Sequence, residues 1–266
     1  MTPENQQSKS FAGKNILVTG GHGGIGFAVV TAFAEAGANV ISGDLVEAEP
    51  AGTQKTALFN LHQYVVDVTR SDQLDVFFSD IAARFRHIDV VVHTVGIAGP
   101  IGPLECASDS EIRMVFETNI ISAILVSKRV KPLLEAAGGG SLFYISSVAE
   151  KLGYPKRAPY AATKAALSGL TRSLATEWGS KRVRVNCIAP GAVEGPPLRK
   201  AFARRARDLR ITVEAAASAY EGQSSLGILI SAAKIAELIL FLSSPHGDSI
   251  SGQTIFVDGN TTTLIY

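Results

Sequence analysis

The segment Thr19-Gly20-Gly21-His22-Gly23-Gly24-Ile25-Gly26 decides the fold. It follows an apolar run, Asn15-Ile-Leu-Val-Thr19, and leads directly into a helical pattern from Phe27 to Ala36. Glycine permits a tight turn, lets the backbone approach a pyrophosphate and lets the helix pack close to the strand. The amino terminus of the helix adds free N–H groups and a partial positive charge. The segment therefore predicts a dinucleotide site whose binding residues are Gly20, His22, Gly24, Ile25 and Gly26.

Short apolar runs alternate with helical patterns along the rest of the chain. The strand candidates are Asn15–Thr19, Asn39–Ser42, Gln63–Val66, Asp89–His93, Ser141–Ile145, Val183–Asn186 and Thr254–Val257. The helix candidates are Ile25–Ala36, Gln73–Phe85, Asp109–Ala137, Ala158–Gly179 and Ala232–Ser243. The strand candidates are almost continuously apolar, which is typical of a sheet buried on both faces. This pattern predicts an α/β fold: a single doubly wound domain with a seven-stranded parallel sheet and helices on both faces.

The domain organisation follows from the same pattern. We predict a loose polar tail at residues 1–10 and one domain at residues 11–266. The stretch 195–226, which begins with Gly195-Pro196-Pro197, is read as an irregular excursion from this domain. Because ligands bind at the carboxyl ends of the strands in open α/β sheets, an excursion after a strand is well placed to cover a substrate.

Composition and charge restrict the partners. With 46% hydrophobic and 18% charged residues, the chain has enough apolar material for a buried core. A formal net charge of +1 gives no excess of positive charge that would favour binding to nucleic acid or to an anionic membrane. The sequence contains no run of about eighteen apolar residues, so it predicts no transmembrane helix. Cys106 and Cys187 match neither a metal-ligand spacing nor a disulfide framework, so we expect no metal, a cytoplasmic location and small-molecule partners.

Acidic residues follow the second and third predicted strands. Asp44 lies eighteen residues after Gly26, where a carboxylate would accept hydrogen bonds from the adenosine ribose and repel a 2′-phosphate. The glycine segment holds no Arg or Lys that would neutralise that phosphate. NAD is therefore the predicted cofactor, although a solvated turn residue remains the alternative for Asp44. Asp67 and Val68 are candidates for the adenine pocket, and Asp67 is equally typical of a turn.

A catalytic set follows the fifth predicted strand. Ser146-Ser147 ends that strand, and Tyr160-Ala-Ala-Thr-Lys164 begins a helical pattern. The i, i+4 spacing places Tyr160 and Lys164 on one helical face. An ammonium group beside a phenol favours the phenolate, so Lys164 is expected to lower the Tyr160 pKa and make Tyr160 a general acid/base. Ser147 would hydrogen-bond the substrate oxygen, and Asn119 would hold a water that links Lys164 to solvent.

Together these elements resemble the short-chain dehydrogenase/reductase family, from Gly13 to Gly259. The thirteen-residue step from Ser147 to Tyr160 matches that family and favours Ser147 over Ser146. The resemblance implies an Asn-Ser-Tyr-Lys tetrad in which Lys164 also holds the nicotinamide ribose. It also implies that the Pro190-Gly-Ala-Val193 segment meets the nicotinamide, with Val193 binding the carboxamide. A last strand within Ser251–Gly259 that packs across a subunit interface implies a homotetramer or dimer.

Two positions depart from the family pattern. The family usually has Asn-Asn-Ala-Gly after its fourth strand, whereas this chain has His93-Thr-Val-Gly96. Gly96 keeps the close backbone approach to the cofactor, and His93 is interpreted as a structural replacement for Asn rather than a second base. The family often has Thr four residues after the glycine of the Pro-Gly pair, where this chain has Gly195, so one cofactor hydrogen bond is expected to be lost.

The sequence thus predicts an NAD-dependent oxidoreductase that acts on a secondary alcohol or ketone. A Rossmann protein that binds NAD(H) without catalysis is the alternative from another class. A reductase of carbon–carbon double bonds is disfavoured, because such relatives space their Tyr and Lys more widely. The basic stretch Arg199–Arg210 is read as a solvated helix face rather than an anion site. Glu194 and Tyr220 are further residues that could reach the substrate.

Overall fold

The computed structural model describes residues 10–46 and 60–265. Within these ranges the chain forms a seven-stranded, all-parallel sheet in the order β3-β2-β1-β4-β5-β6-β7. The strands are β1 Asn15–Thr19, β2 Asn39–Asp44, β3 Leu61–Val65, β4 Val90–His93, β5 Gly140–Ile145, β6 Val183–Pro190 and β7 Thr254–Val257. This confirms the predicted single doubly wound α/β fold. The predicted tail at residues 1–10 lies, except for Ser10, outside the described residues.

Helices cover the two faces of the sheet. They are α1 Gly24–Glu35, α2 Ser71–Phe85, α3 Asp109–Phe116, α4 Ser122–Ala136, α5 Ala158–Trp178, α6 Pro196–Leu209, α7 Val213–Glu221 and α8 Ala232–Ser243. Helices α2, α4 and α5 pack on one face, and α1 and α8 pack on the other. None of the described helices is long and apolar enough to cross a membrane.

The alternation of side chains along β1 explains why both faces are apolar. Ile16 and Val18 join the core under α1 and α8, while Leu17 joins the core under α2, α4 and α5. All three side chains are fully buried. Because the strands are parallel, their carboxyl ends meet at one edge, where β1 ends at Thr19 beside Gly43 of β2 and His93 of β4. That edge carries the candidate site.

The segment predicted as one helix, Asp109–Ala137, is divided in the structure. A π-helical turn, Glu117–Ile121, separates α3 from α4. An inserted residue of this kind widens one turn of a helix and is frequent at functional sites. Asn119 lies inside the turn and is fully buried. Periodicity predicts a helix here, but it does not reveal one extra residue in a turn.

The prediction of irregular structure at 195–226 was wrong, because α6 and α7 form in it. Gly195 precedes α6 with φ +148°, a value that favours glycine, and Pro196 starts the helix. Thr212 caps α7 by accepting a hydrogen bond from the Ala215 N–H at 3.1 Å. The two helices pack on each other through Phe202 and Tyr220, and they form a small core of their own.

Candidate active site

The glycine loop is shaped by close contacts at its ends and by open space in its middle. Gly20 has φ +79°, and a Cβ there would lie 2.7 Å from the Thr94 hydroxyl. A Cβ on Gly26 would lie 2.0 Å from the Gly20 carbonyl oxygen, so only glycine lets α1 approach β1 this closely. A Cβ added to Gly23 or Gly24 would meet no heavy atom within 4 Å. This open stretch at the amino terminus of α1 fits the pyrophosphate of a dinucleotide.

Asp44 ties the end of β2 to the glycine loop. Its carboxylate accepts hydrogen bonds from the His22 N–H at 2.9 Å and from the Leu45 N–H at 2.7 Å. The His22 ring is hydrogen-bonded through Nδ1 to the Val46 carbonyl at 2.7 Å. Since each carboxylate oxygen can accept a second hydrogen bond, Asp44 can still bind ribose hydroxyls. The His22 N–H, in contrast, is already used within the protein.

Asp67 and Val68, the two residues proposed for the adenine pocket, have mainly structural contacts. The Asp67 carboxylate accepts hydrogen bonds from the N–H and the hydroxyl of Thr69, at 2.9 and 2.7 Å. This is the local turn geometry that Asp commonly forms. The Val68 side chain is buried in the core. A nucleotide would therefore meet the second oxygen of Asp67 and the backbone of Val68.

Gly96 lies against two residues of the predicted tetrad. A Cβ on Gly96 would lie 3.2 Å from Lys164 Nζ and 3.4 Å from Asn119 Oδ1. The Asn119 amide accepts from the Ile97 N–H at 2.7 Å and donates to the Ile97 carbonyl at 2.9 Å and to Thr163 Oγ1 at 3.0 Å. Asn119 therefore fixes the backbone after β4 against the π-helical turn and α5. These bonds use both amide N–H groups and one of the two lone pairs of Oδ1, so the predicted role of Asn119 in holding a water stays a prediction.

Lys164 and Tyr160 lie together on α5, as the spacing predicts. Lys164 Nζ is 5.7 Å from the centre of the Tyr160 ring and donates a hydrogen bond to the Ile145 carbonyl at 2.8 Å. Burial lowers the Lys164 pKa to about 8, partly offset by the charges of Cys187 and Glu150.

The expected direction of the Tyr160 pKa shift is wrong for the protein alone. Burial raises this pKa, and the hydroxyl of Ser147 and the charge of Arg157 only partly oppose the rise. Burial removes water that would stabilise the phenolate, and the stabilisation by the Ser147 hydroxyl and the Arg157 charge is smaller than this loss. Tyr160 is therefore a neutral phenol that can donate a proton.

The two adjacent serines have different surroundings. Ser146 is buried, and its hydroxyl lies 2.5 Å from the Glu150 carboxylate and 2.9 Å from the Lys164 carbonyl, two acceptors for its single proton. Ser147 lines the same cavity as Tyr160 and interacts with the Tyr160 hydroxyl. Its position next to Tyr160 in the cavity agrees with the choice of Ser147 over Ser146.

Val193 follows β6, which ends at Pro190, and lines the same cavity as Ser147 and Tyr160. It forms an isolated parallel bridge with Ile230. The hydrogen bonds of this bridge come from the Ala192 carbonyl and the Glu194 N–H, at 2.8 and 2.9 Å. The N–H and carbonyl of Val193 itself therefore point to the other side. This geometry fits a carboxamide, so the described residues suit a nicotinamide dinucleotide.

His93 has the contacts of a structural residue. Its ring lies 2.8 Å from Thr19 Oγ1 and 3.2 Å from Ser122 Oγ, and it is almost completely buried. Burial, assisted by the charge of Lys164, lowers the His93 pKa to about 3. A neutral ring that joins β1, β4 and α4 agrees with the structural interpretation.

A cavity of about 270 Å³ opens beside Ser147 and Tyr160. Tyr220 lines it, as expected, whereas Glu194 is exposed and does not. The basic stretch is divided: Arg199, Lys200, Arg207 and Arg210 are exposed, but Arg204 lines the cavity. The solvated-face reading is therefore right for most of the stretch and wrong for Arg204.

Sequence reasoning missed Tyr154, Arg157 and Gln223, which also line the cavity. Arg157 precedes Tyr160 by three residues and donates to the carbonyls of Ala98 and Gly99 at 2.9 and 3.2 Å. No local pattern marks a residue that reaches a loop 58 positions away. Its place immediately before the Tyr-Lys motif was the one available signal.

Comparisons with known proteins agree with this geometry. A family model described as Enoyl-(Acyl carrier protein) reductase matches residues 20–262. The cis-4-hydroxycyclohexanecarboxylate dehydrogenase of Sinomonas cyclohexanicum is 31% identical over 258 residues, which cover 96% of this chain and 99% of that protein. A short chain dehydrogenase family protein from Francisella tularensis has a similar structure, with a TM-score of 0.82, 27% identity and coverage of 92% and 97%. The chain belongs to the short-chain dehydrogenase/reductase family.

Further structural similarity supports membership of the short-chain dehydrogenase/reductase family. Levodione reductase has a TM-score of 0.85 and 27% identity, with 94% of this chain and 97% of that chain covered. The predicted family resemblance is thus confirmed over nearly the whole chain. Membership makes the chain an oxidoreductase that uses a nicotinamide cofactor and a small-molecule substrate. The comparisons give no support to a binding protein without catalysis.

Proposed function

We propose that this chain interconverts a secondary alcohol and its ketone with NAD(H), and that Tyr160 is the general acid/base. One observation carries the proposal: Ser147 and Tyr160 line one cavity, and the Lys164 amine lies 5.7 Å from the centre of the tyrosine ring. When bound, the cofactor supplies the hydride chemistry. Tyr160 and Lys164 are four residues apart on one face of α5. Carbonyl chemistry is favoured over the reduction of a carbon–carbon double bond, because relatives that reduce double bonds space this Tyr and Lys more widely.

The proton chemistry is assigned to Tyr160 and Ser147. The neutral Tyr160 phenol donates a proton to the oxygen of a ketone during reduction and accepts it from an alcohol during oxidation. The Ser147 hydroxyl hydrogen-bonds the same oxygen and stabilises the charge that develops there. Lys164 stabilises the phenolate left behind, and Asn119 is assigned to hold a water that links Lys164 to solvent.

NAD rather than NADP is proposed from the charge at the end of β2. Asp44 presents a carboxylate beside the glycine loop, and the described part of that loop contains no Lys or Arg. A 2′-phosphate at this position would be repelled without compensation. We also include Gly96, Pro190 and Val193 among the cofactor-binding residues. A homotetramer or dimer stays a prediction.

A substrate screen with both cofactors tests the proposal. The Sinomonas relative is named for a hydroxyl group on a cyclohexane ring. Cyclohexanol, 4-hydroxycyclohexanecarboxylate and linear secondary alcohols, with their ketones, therefore form the first panel. Absorbance of the reduced nicotinamide reports turnover, and NADH fluorescence reports binding. We expect turnover that is faster with NAD(H) than with NADP(H). NADH binding without turnover of any member would contradict the proposal.

A further inference from the structure

The cavity beside Tyr160 is lined by positive charge. Two arginines from different elements contribute it: Arg157, at the start of α5, and Arg204, on α6. Tyr154, Tyr220 and Gln223 add polar groups to the lining of the same cavity. No Asp or Glu occurs among the described residues that line this cavity. The described lining therefore offers hydrogen-bond donors and positive charge without a carboxylate to balance them.

Arg157 is a buried cation with an unfilled donor. Only 8% of the residue is exposed, and its bonds to the carbonyls of Ala98 and Gly99 use one terminal nitrogen. Its Nε is buried and has no hydrogen-bond partner. A guanidinium remains charged in a protein, and a buried donor without a partner is costly. Arg157 also lines the cavity, so this poorly solvated positive charge lies beside the space that a substrate would fill.

Arg204 directs a second positive charge at the same space. It is half-buried, and its charge affects the pKa values of Tyr154, Arg157 and Tyr220, all of which line the cavity. The next acidic residue on α6, Asp208, pairs with Arg207 at 3.3 Å. Within residues 10–46 and 60–265, neither Arg157 nor Arg204 forms a salt bridge. The two guanidiniums repel each other, and an anion between them would remove that repulsion.

We propose that Arg157 and Arg204 bind a carboxylate of the substrate in the cavity that Ser147 and Tyr160 also line. The inference rests on the proposed function, and it narrows the substrate to a hydroxy acid or oxo acid. A planar guanidinium matches a carboxylate through paired N–H donors. The apolar side chains of Leu198 and Ile228 line the space and suit the hydrocarbon between the two functional groups.

Equilibrium binding tests the carboxylate site without turnover. Benzoate and benzamide have similar shapes, but only benzoate carries a charge. We expect calorimetry, with and without NADH, to show benzoate binding about tenfold or more tightly. Arg204→Gln should weaken benzoate about tenfold and leave benzamide unchanged, and Arg204→Lys should restore part of the affinity. Arg207→Gln, an exposed arginine of the same helix, is the matched control and should bind benzoate normally.

Several results would overturn this inference. Equal affinities for benzoate and benzamide would do so, as would full benzoate binding by Arg204→Gln. Phenylphosphate binding more tightly than benzoate would overturn the carboxylate assignment. Arg157→Gln also loosens the Ala98–Gly99 contacts, so Arg204 variants are the primary test and Arg157→Lys is the second.

Failure of the proposed function gives a different pattern of results. Turnover of neutral alcohols without any preference for acids over their amides would refute the carboxylate site and still support the oxidoreductase function. Benzoate binding that depends on Arg204, in a protein that oxidises no alcohol, would support the carboxylate site and refute the proposed function. Tyr160→Phe should bind benzoate like the unmodified protein, because the carboxylate partners are intact.

Discussion

Replacing Lys164 with methionine should stabilise the protein at neutral pH while removing its activity. The fall of the Lys164 pKa from 10.5 to about 8 is caused mainly by burial. A shift of this size corresponds to about 3 kcal/mol by which folding disfavours the charged amine. The variant also loses the hydrogen bond to the Ile145 carbonyl, which costs about 1 to 2 kcal/mol. Lys164→Met should therefore be about 1 to 2 kcal/mol more stable near pH 7.

The pH dependence identifies the cause of this stabilisation. Between the folded pKa of about 8 and the ordinary value of 10.5, the unfolded chain holds a proton on Lys164 that the folded protein has released. The stability of the unmodified protein therefore gains from Lys164 as pH rises through this window, and that of the variant does not. The difference in free energy of unfolding between Lys164→Met and the unmodified protein should therefore shrink by about 2 kcal/mol between about pH 7 and about pH 9.5.

Urea unfolding at both pH values measures the effect. Lys128→Met is the matched control, because Lys128 is an exposed lysine of α4. Its free energy of unfolding should differ little from that of the unmodified protein at either pH. The reasoning is refuted if Lys164→Met is the less stable protein near pH 7, or if the difference does not change with pH.

Three further substitutions test separate parts of the site. Asp44→Asn keeps an acceptor for the His22 N–H but removes the charge, so kcat/KM for NADP relative to NAD should rise about tenfold; an unchanged ratio would reject Asp44 as the selecting group. Gly26→Ala places a Cβ 2.0 Å from the Gly20 carbonyl oxygen and should cost about 1 to 3 kcal/mol or more. Gly23→Ala, with no heavy atom within 4 Å, is its control in thermal melts. His93→Phe leaves the buried Thr19 hydroxyl without its partner, whereas the Ser122 hydroxyl keeps its bond to the Thr118 carbonyl, and the variant should lose about 1 to 3 kcal/mol of stability. Because the His93 ring is neutral, His93→Phe should leave the pH profile of kcat unchanged. Loss of one ionisation from that profile in the variant would indicate that His93 is a catalytic base.

The fold is predictable from the sequence because its signals are local. The apolar run Asn15–Thr19, the glycine loop and the pattern of α1 follow one another within about two dozen residues, and each element imposes its own periodicity. The glycines at positions 20 and 26 are explained by contacts within the same strand–loop–helix unit. Tyr160 and Lys164 are likewise neighbours on one helix, so their spacing alone predicts that they meet.

The rest of the site depends on contacts between distant segments. Arg157 and Arg204 line one cavity only because α6 packs over the end of the sheet, which no pattern around either residue indicates. The π-helical turn at Asn119 accompanies hydrogen bonds to Ile97 and Thr163. The direction of the Tyr160 pKa shift depends on burial, which spacing cannot supply.

Single-turnover measurements on Tyr160→Phe test the central claim most directly. Tyr160 lines the cavity beside Ser147, and its phenol is the group assigned to exchange a proton with the substrate oxygen. The variant should bind NADH with unchanged affinity and lose at least about a hundredfold in the rate of hydride transfer to the substrate found in the screen. A variant that binds NADH normally and transfers hydride at nearly the original rate would contradict the account.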